Sequence, residues 1–442
     1  DYKPYLVKST DKGQSWTDIS GELPDKHLVW RLVQDHEDKD LLFAGTEFGL
    51  FVTVNGGENW IELNGGIPTI SFRDLAIQRR ENDLVAASFG RGFFILDDYS
   101  ALREIGNSTL DKEAELYTPR KAWWYIPRSV LDFDDKRGSQ GSQHYVAPNP
   151  DFGAVFTYYL KDKYESLEEQ RKEQEKSPEA DVSFPGWEAV EAEAREDKPL
   201  VFLQVTKENG EVVNRIKASN KKGFQRVSWD LRRAPQSILA GASQSDTDGP
   251  LVVPGRYHGQ LFKNLNGIIT AITDKVPVDV VPLRKGALEG SDHETLENFW
   301  NDYATLKARA SLMSTRLSRQ MDNARKIQEA AMRSNVSVDL MSELKEVKTS
   351  LDEIDKAWNG LKSKNQIGEK NLPTANERLF ALQRGLERST YGPTETHTKL
   401  LAWVKEELDS TESQLIILKN DLEALYNNVL EAGGPLIEGM GY

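Results

Sequence analysis

The chain has 442 residues, no cysteine and a formal net charge of −14, because 70 Asp and Glu outnumber 56 Lys and Arg. This length predicts about three domains. The lack of cysteine excludes a disulfide framework, a thiolate zinc site and a cysteine nucleophile. The acidic balance argues against nucleic-acid binding, which needs a concentrated basic surface. No apolar run approaches the ~18 residues of a membrane-spanning helix, so we expect no membrane span.

The first residues, Asp1-Tyr2-Lys3-Pro4, include no initiator Met and no signal-peptide pattern. The next residues already have the composition of a strand. We therefore expect the chain to be the C-terminal part of a longer exported polypeptide. A tagged and trimmed protein is the alternative.

Two octapeptides near the front share the template Ser/Thr-x-Asp/Asn-x-Gly-x-x-Trp. Each follows an apolar strand, which is typical of a β-hairpin turn. In such a turn Asp or Asn accepts backbone N–H bonds, Gly supplies a positive φ, and Trp folds back over the turn as a hydrophobic plug. The residues that define the two copies are Ser9, Asp11, Gly13 and Trp16, and then Thr53, Asn55, Gly57 and Trp60.

A wider repeat surrounds the octapeptides. Residues 30–34 align with 72–76, and residues 42–46 align with 84–88, which gives a period of 42 residues in this alignment. Four short strands per period predict β-propeller blades. Residues 1–106 would hold two and a half blades, with a full blade at 29–63 and a last one at 70–105. Propellers typically have about four to eight blades. The strand edge at residues 5–9 should therefore be covered by the remainder of the propeller, from the same or a separate chain, or by a second copy.

The octapeptides resemble Asp boxes, also called BNR repeats, which occur in sialidases, xyloglucanase-type propellers and the sortilin family. The runs 44–51 and 87–98 resemble large bacterial BNR proteins that are described as sortilin-like or as glycosyl hydrolases. The resemblance implies a multidomain fold that begins with partial propeller blades, in which the octapeptides are structural and lie on the rim. It also implies a secreted, periplasmic or outer-membrane-associated protein.

The middle of the chain predicts a connector and a β-sandwich. Residues 107–150 form the connector, in which Trp123 and Trp124 should dock against a neighbouring domain. Residues 151–285 contain short strands separated by turn signals, including the hairpin turn Asn209-Gly210, and predict an immunoglobulin-like β-sandwich. They resemble the immunoglobulin-like domains of flagellar hook-capping proteins and secreted bacterial enzymes, which are usually spacers or adhesive modules. The acidic insertion 161–198 should be a solvated helical segment or a loop, with an acidic docking surface as the alternative.

Residues 290–432 predict long helices, followed by a tail at 433–442 that begins Gly433-Gly434-Pro435. Capping boxes are expected at Ser291 with Glu294 and at Thr374 with Glu377. Two interpretations stay open, namely a four-helix bundle and a protruding coiled-coil arm that binds a partner or forms a homo-oligomer. The apolar stripes, which repeat at a 3,4 spacing, are Leu296, Phe299, Tyr303, Leu306, Ala310, Met313, Leu317 and Met321 in the first helix, and Leu401, Val404, Leu408, Thr411, Leu415, Leu418, Leu422, Leu425 and Val429 in the last.

Candidate ligand-facing residues of the propeller are Arg31, Glu47, Arg73 and Arg91. A glycosidase needs two carboxylates across the scissile bond, and a sialidase-like site also needs an arginine cluster with a Tyr nucleophile. Arg31 and Arg73 repeat with the blade period, which favours a structural ion pair. We therefore predict no catalytic residue in this chain.

We also predict no metal site and no cofactor. Residues 132–135 and 246–249 resemble calcium loops but lack the ligand number of an EF-hand, so turns are favoured over a structural calcium ion.

Two function classes follow. The first is a non-catalytic binding or scaffold protein of the bacterial envelope or secretome, whose propeller and helical arm contact a protein or glycan. The alternative is a polysaccharide-active glycoside hydrolase, of sialidase or xyloglucanase type, whose catalytic blades lie in a missing N-terminal part.

Overall fold

The computed structural model describes residues 2–106, 109–127, 147–176, 184–236, 249–286, 289–386 and 388–440. The predicted calcium-like loop at 132–135, and all but Gly249 of the one at 246–249, lie outside these residues. The chain forms two compact units. One comprises residues 1–231 and 254–282, and the other residues 232–253 and 283–442.

Three small antiparallel sheets occupy the first 106 residues, and we call them the first, second and third repeat sheets. The first contains β1 (Val7–Lys8) and β2 (Thr17–Asp18). The second has the order β3 (Val29–Gln34), β4 (Leu42–Thr46), β5 (Leu50–Thr53) and β6 (Ile61–Glu62). The third has the order β7 (Phe72–Gln78), β8 (Asp83–Ser88) and β9 (Phe93–Leu96).

Two apolar layers join these sheets face to face. Because successive side chains of a strand point to opposite faces, Leu50 and Val52 of β5 enter the layer with Phe72 and Leu84 of the third sheet. Phe51, between them, enters the layer shared with the first sheet. The alternation explains why every residue of β5 is buried.

Two further sheets complete the first unit. Their strands are β10 (Ala114–Leu116), β11 (Ala122–Trp124), β12 (Ala154–Leu160), β13 (Leu200–Lys207), β14 (Val212–Ala218), β15 (Gly223–Trp229), β16 (Gly255–Leu265), β17 (Ile268–Ala271) and β18 (Val276–Pro282). One sheet has the order β10-β12-β15, and the other has β11-β18-β16-β13-β14 with β17 paired to β16.

These two sheets face one another through a close approach at Gly259. A Cβ on Gly259 would lie 2.5 Å from the Phe156 ring, so no larger residue fits there without a shift. Beside this contact Trp229 packs edge-on against Tyr257, with ring centroids 5.2 Å apart. In the connector, Trp123 donates from Nε1 to the carboxylate of Glu81, at 3.1 and 3.0 Å, so this indole contacts the loop between β7 and β8.

The acidic insertion contains two short helices, α1 (Leu167–Glu175) and α2 (Trp187–Arg195). They are joined by a bidentate ion pair, in which Arg171 Nε and Nη2 donate to the two oxygens of Glu193 at 2.6 and 3.0 Å. A capping box of Ser166 and Glu169 begins α1.

The second unit is helical. Its helices are α3 (His293–Ala331), α4 (Val338–Asn359), α5 (Lys362–Gln366), α6 (Ala375–Leu386) and α7 (Glu395–Glu431). The four longer helices pack against one another, α3 and α6 each contacting α7, and α4 contacting α3, α6 and α7. The predicted stripes are buried in this packing, except that Met321 and Leu401 are only partly covered.

One of the two predicted capping boxes is wrong. Asp292, and not Ser291, caps α3, because its carboxylate accepts from the Thr295 amide at 2.8 Å. The backbone N–H of Ser291 instead donates to the Tyr391 carbonyl. The box of Thr374 and Glu377 is confirmed by its two reciprocal bonds, at 3.0 and 3.2 Å.

Candidate functional site

The two octapeptides fold into the same hydrogen-bonded turn. In the first, Ser9 Oγ donates to Asp11 and accepts from the Gly13 amide, while Asp11 Oδ1 accepts from the Ser15 amide at 2.8 Å. In the second, Thr53, Asn55, Gly57 and Asn59 make the equivalent bonds. Gly13 and Gly57 have φ of 89° and 99°, in the region that favours glycine. Hydrogen bonds from Ser15 and Ser9 lower the pKa of Asp11 to about 2. These residues therefore hold the turns.

The two octapeptide tryptophans differ in burial. Trp60 is 6% exposed and donates from Nε1 to the Ile19 carbonyl of the first repeat sheet at 2.9 Å. Trp16 is 62% exposed, although its ring lies over Gly13. Trp60 is a buried plug between two sheets, whereas Trp16 has no sheet against its ring in the part of the chain that the structure describes.

The candidate site, which we call the aromatic–arginine cluster, consists of the exposed Trp30, Arg73 and Phe89, the partly exposed Glu47 and the buried Ser71. The carboxylate of Glu47 is its centre. Glu47 Oε2 accepts from Trp30 Nε1 at 2.6 Å and from Ser71 Oγ at 3.3 Å, and lies 3.5 Å from Arg73 Nη2. Three donors therefore converge on one oxygen.

Arg73 lies between two aromatic rings of this cluster. Its guanidinium carbon is 3.7 Å from the Trp30 ring centroid and 5.3 Å from that of Phe89. Phe89 is 68% exposed, and the neighbouring Phe48 is also exposed. Cation–π contact and the Glu47 ion pair together fix the guanidinium in place.

The strand ends of two repeat sheets position these side chains. Trp30 and Arg73 are the bulged residues at the start of β3 and β7, where the pairing register shifts by one residue. Glu47 and Phe89 follow β4 and β8, and their amides donate to the Leu28 and Ser71 carbonyls. A β-bulge re-aims a side chain away from the regular alternation, which brings Trp30 and Arg73 together.

The expected equivalence of Arg31 and Arg73 is wrong. Arg31 pairs with Gly45 and Asp74 pairs with Ala87, so Arg31 and Asp74 are the equivalent residues, and Trp30 is the equivalent of Arg73. Both strands carry the bulge at the same place. The offset of one residue from the alignment by sequence arises because residues 35–41 separate the paired Gln34 and Leu42, whereas the shorter run 78–83 separates the paired Ile77 and Leu84. Arg31 Nε lies 3.2 Å from Asp74 in an exposed ion pair. Arg91 is exposed on the turn between β8 and β9.

A second cluster, of Asp35, Tyr99 and Arg103, is buried between the second and third repeat sheets. Tyr99 Oη donates to Asp35 at 2.6 Å, and Arg103 donates to both carboxylate oxygens at 2.8 and 2.9 Å. Burial alone would raise the pKa of Asp35, but the bonds from Arg103, Tyr99 and two backbone amides outweigh it and hold this pKa far below its usual range. Burial and the Asp35 carboxylate raise the pKa of Tyr99. We call this the buried acid cluster.

The central carboxylates of both clusters are already held by donors. Glu47 is held by three donors, and Asp35 is enclosed with a side-chain exposure of 0%. Among the described residues, no group of three or more His, Asp or Glu side chains could hold a metal ion. In the same residues, no helix is long and apolar enough to cross a membrane.

Sequence reasoning identified Glu47 and Arg73 but missed Trp30, Ser71 and Phe89 as their partners. An available signal was the set of large apolar residues at strand ends, outside the buried part of each sheet. Arg103 and Tyr99 were also missed, because they contact Asp35 across more than 60 residues of sequence.

No family model matches the chain. No curated protein matches it. One solved structure that is similar is described as the extracellular domain of a one-component system of B. thetaiotaomicron, with a TM-score of 0.18 and 11% sequence identity. The match covers 63% of this chain and 28% of that chain.

Proposed function

We propose that this protein is a non-catalytic binding or scaffold protein of the bacterial envelope or secretome. Its repeat sheets are part of a β-propeller, and the remainder of the ring comes from the same or a separate chain. The aromatic–arginine cluster is the binding surface. The observation that carries the proposal is the exposed, pre-positioned Arg73 between two aromatic rings.

The composition and rigidity of the cluster favour recognition. Trp and Arg are enriched among the residues that carry most of the binding energy in protein interfaces. Side chains that are already fixed lose less conformational entropy when a partner binds. Here Glu47 and two rings fix Arg73 before any partner arrives.

The chemistry of the cluster indicates a partner that carries carboxylates. A guanidinium offers five N–H donors in a planar fork that matches a carboxylate. Glu47 contacts Arg73 through Nη2 at 3.5 Å, which leaves other N–H groups of the fork for a ligand. An exposed ring such as Phe89 can pack against the apolar part of the same ligand. An acidic peptide and an acidic glycan both have this chemistry.

A binding comparison tests the proposal. Arrays of acidic peptides and of sialylated glycans, with neutral β-glucans as the uncharged comparison, would be titrated with four proteins. These are wild type, Trp30→Ala, Arg73→Ala and the control Arg31→Ala. We expect wild type to bind acidic ligands, and we expect Trp30→Ala and Arg73→Ala to bind them about tenfold more weakly or worse. Arg31→Ala should bind like wild type, because Arg31 is paired with Asp74 outside the cluster. Equal binding by all four proteins would contradict the proposal.

The hydrolase alternative makes a different prediction. The full-length protein would be assayed for hydrolysis of sialosides and β-glucans, as wild type and as Glu47→Gln. Because Glu47 Oε2 is shared by three donors, we expect no turnover that depends on it. Turnover that falls in Glu47→Gln would favour the hydrolase.

The helical unit provides a second interaction surface in this proposal. Ile416 and Ile417 of α7 are both 61% exposed, outside the buried stripe of that helix. These exposed apolar side chains are the proposed contact of the helical unit with a partner or with a second copy. Sedimentation of wild type and of an Ile416→Ala, Ile417→Ala variant would show whether self-association depends on them.

A further inference from the structure

The outer strand of a repeat sheet is attached by one recurring backbone hydrogen bond. In the first repeat sheet the Ile19 amide donates to the Leu6 carbonyl at 2.8 Å. In the second the Leu63 amide donates to the Leu50 carbonyl at 2.9 Å. Ile19 and Leu63 each lie three residues after an octapeptide tryptophan. The outer strand therefore follows the octapeptide and adds to the strand before it.

The third repeat sheet has the accepting strand without an outer strand. Phe93 of β9 pairs with Ala87, as Leu50 of β5 pairs with Gly45, so the two occupy equivalent positions. The Ser88 amide bonds to the Gly92 carbonyl, which places the backbone groups of Phe93 and Ile95 on the side away from β8. In the described residues the order β7-β8-β9 ends at β9.

The same comparison shows an exposed apolar face. Leu50 and Val52 are 2% and 3% exposed, whereas the equivalent Phe93 and Ile95 are 74% and 58% exposed. Leu63, which follows the outer strand of the second sheet, packs in the layer with Leu50 and Val52. A leucine at the same place on the third sheet would therefore fall beside Phe93 and Ile95.

By analogy with Trp60, an octapeptide tryptophan bound next to this edge would take a place that we call the slot. Trp60 occupies such a slot on the first sheet, where it bonds to Ile19 and lies 3.3 Å from the Cβ that Gly21 would carry. Leu63 is the equivalent of Ile19 on the second sheet, and Gly65 lies two residues after it, as Gly21 lies two residues after Ile19. Among the residues that the structure describes, a Cβ on Gly65 would meet nothing within 4 Å, so the space beside Gly65 is open there.

We propose that the outer edge of β9 and the slot at Gly65 form a docking site for an extended segment with the chemistry of residues 53–65, supplied by another stretch of polypeptide. Its leucine amide donates to the Phe93 carbonyl, and its tryptophan indole enters the slot at Gly65. The occupant is an octapeptide followed by a strand, because that segment fills the same place on both other sheets. Strand addition of this kind takes its affinity from main-chain hydrogen bonds and its specificity from side-chain pockets.

The first test uses a labelled synthetic peptide with the sequence of residues 53–65. Its fluorescence anisotropy would be measured with increasing amounts of the 442-residue protein, and we expect saturable binding. Two control peptides carry an N-methyl group on the leucine amide, or alanine in place of tryptophan. Each should bind about tenfold more weakly, because one loses the ladder hydrogen bond and the other loses the indole.

The second test fills the slot from the protein side. Gly65→Leu adds a side chain where a Cβ has open space, so the variant should fold and exclude the tryptophan. Gly106→Leu is the matched control, because a Cβ on Gly106 also meets nothing within 4 Å in the part of the chain that the structure describes. Circular dichroism would verify that both fold.

Three results would overturn the proposal. The first is the absence of saturable binding up to about 1 mM protein, a concentration that detects interactions of about −4 kcal/mol. The second is equal binding of the N-methyl and unmodified peptides. The third is equal binding by Gly65→Leu and Gly106→Leu.

Discussion

The two acid–arginine–aromatic clusters of the repeat sheets contain the same kinds of side chain in opposite environments. In the buried acid cluster, Asp35 accepts from Arg103 and Tyr99 with a side-chain exposure of 0%. In the aromatic–arginine cluster, Glu47 contacts Arg73 and Trp30, and the acid and the arginine are about one third exposed. The burial of a cluster decides whether its side chains join two sheets or can contact a partner. The enclosed cluster joins two sheets, and the exposed one is available to a partner.

The largest difference should appear when each arginine is removed. Arg103→Ala leaves Asp35 buried with its principal partner gone, which typically costs about 3–5 kcal/mol of unfolding free energy. Arg73→Ala should lower the unfolding free energy by only about 1 kcal/mol, because exposed ion pairs and exposed cation–π contacts contribute little. Denaturant unfolding monitored by tryptophan fluorescence measures both. Similar losses in the two variants would remove the distinction.

The two octapeptide tryptophans extend the comparison. Trp60→Ala removes a buried indole and its bond to Ile19, so we expect a loss of about 3 kcal/mol. Trp16→Ala should cost less than about 1 kcal/mol, because its ring is mostly exposed. Thermal unfolding of the two variants, side by side, checks the difference. A larger loss for Trp16→Ala would mean that its ring is covered in solution.

The buried acid cluster should also make stability depend on pH. The pKa of Asp35 is lower in the folded protein than in the unfolded chain, where it is about 4. Between the folded and the unfolded pKa of Asp35, the unfolded state therefore binds more protons than the folded state. The stabilisation by Asp35 is complete above about pH 5 and declines as the pH falls. The difference in unfolding free energy between wild type and Asp35→Asn should be roughly 2 kcal/mol at pH 7 and narrow toward pH 3. A difference independent of pH would contradict this assignment.

The smallest effect is expected for Glu47→Gln. An amide can still accept from Trp30 and Ser71, so the unfolding free energy should change by less than about 0.5 kcal/mol. The ion pair with Arg73 is lost, and binding of an acidic partner should change while stability does not. Isothermal titration at several salt concentrations would measure this, since salt screens exposed charges.

Features that depend on neighbouring residues were predictable. The hydrogen bonds of the octapeptides close within four residues of sequence, so the residue types alone indicate the turns. The heptad stripes of α3 and α7 follow from helix geometry, and their burial followed with few exceptions. The cap of α3 was misplaced by one residue, since Ser291 and Asp292 both suit a helix start.

The candidate site was only partly predictable. Glu47 and Arg73 were identified from the repeat, but the alignment by sequence matched Arg31 with Arg73. The offset arises between the paired strands, where residues 78–83 are one fewer than residues 35–41, and such a difference in length leaves no mark in the composition. The partners Trp30 and Phe89 could be assigned only when the strand ends were placed side by side.

The sequence by itself determined the turns, the strands of the repeat sheets and the apolar faces of the helices, because these depend on local hydrogen bonds and on the period of side chains along one element. The tertiary structure alone decided which copy of a motif is covered. Trp16 and Trp60 occupy the same place in the same turn, as Phe93 and Leu50 do in their strands. Burial differs because it depends on whether another sheet lies against the residue, and that neighbour comes from a distant part of a polypeptide.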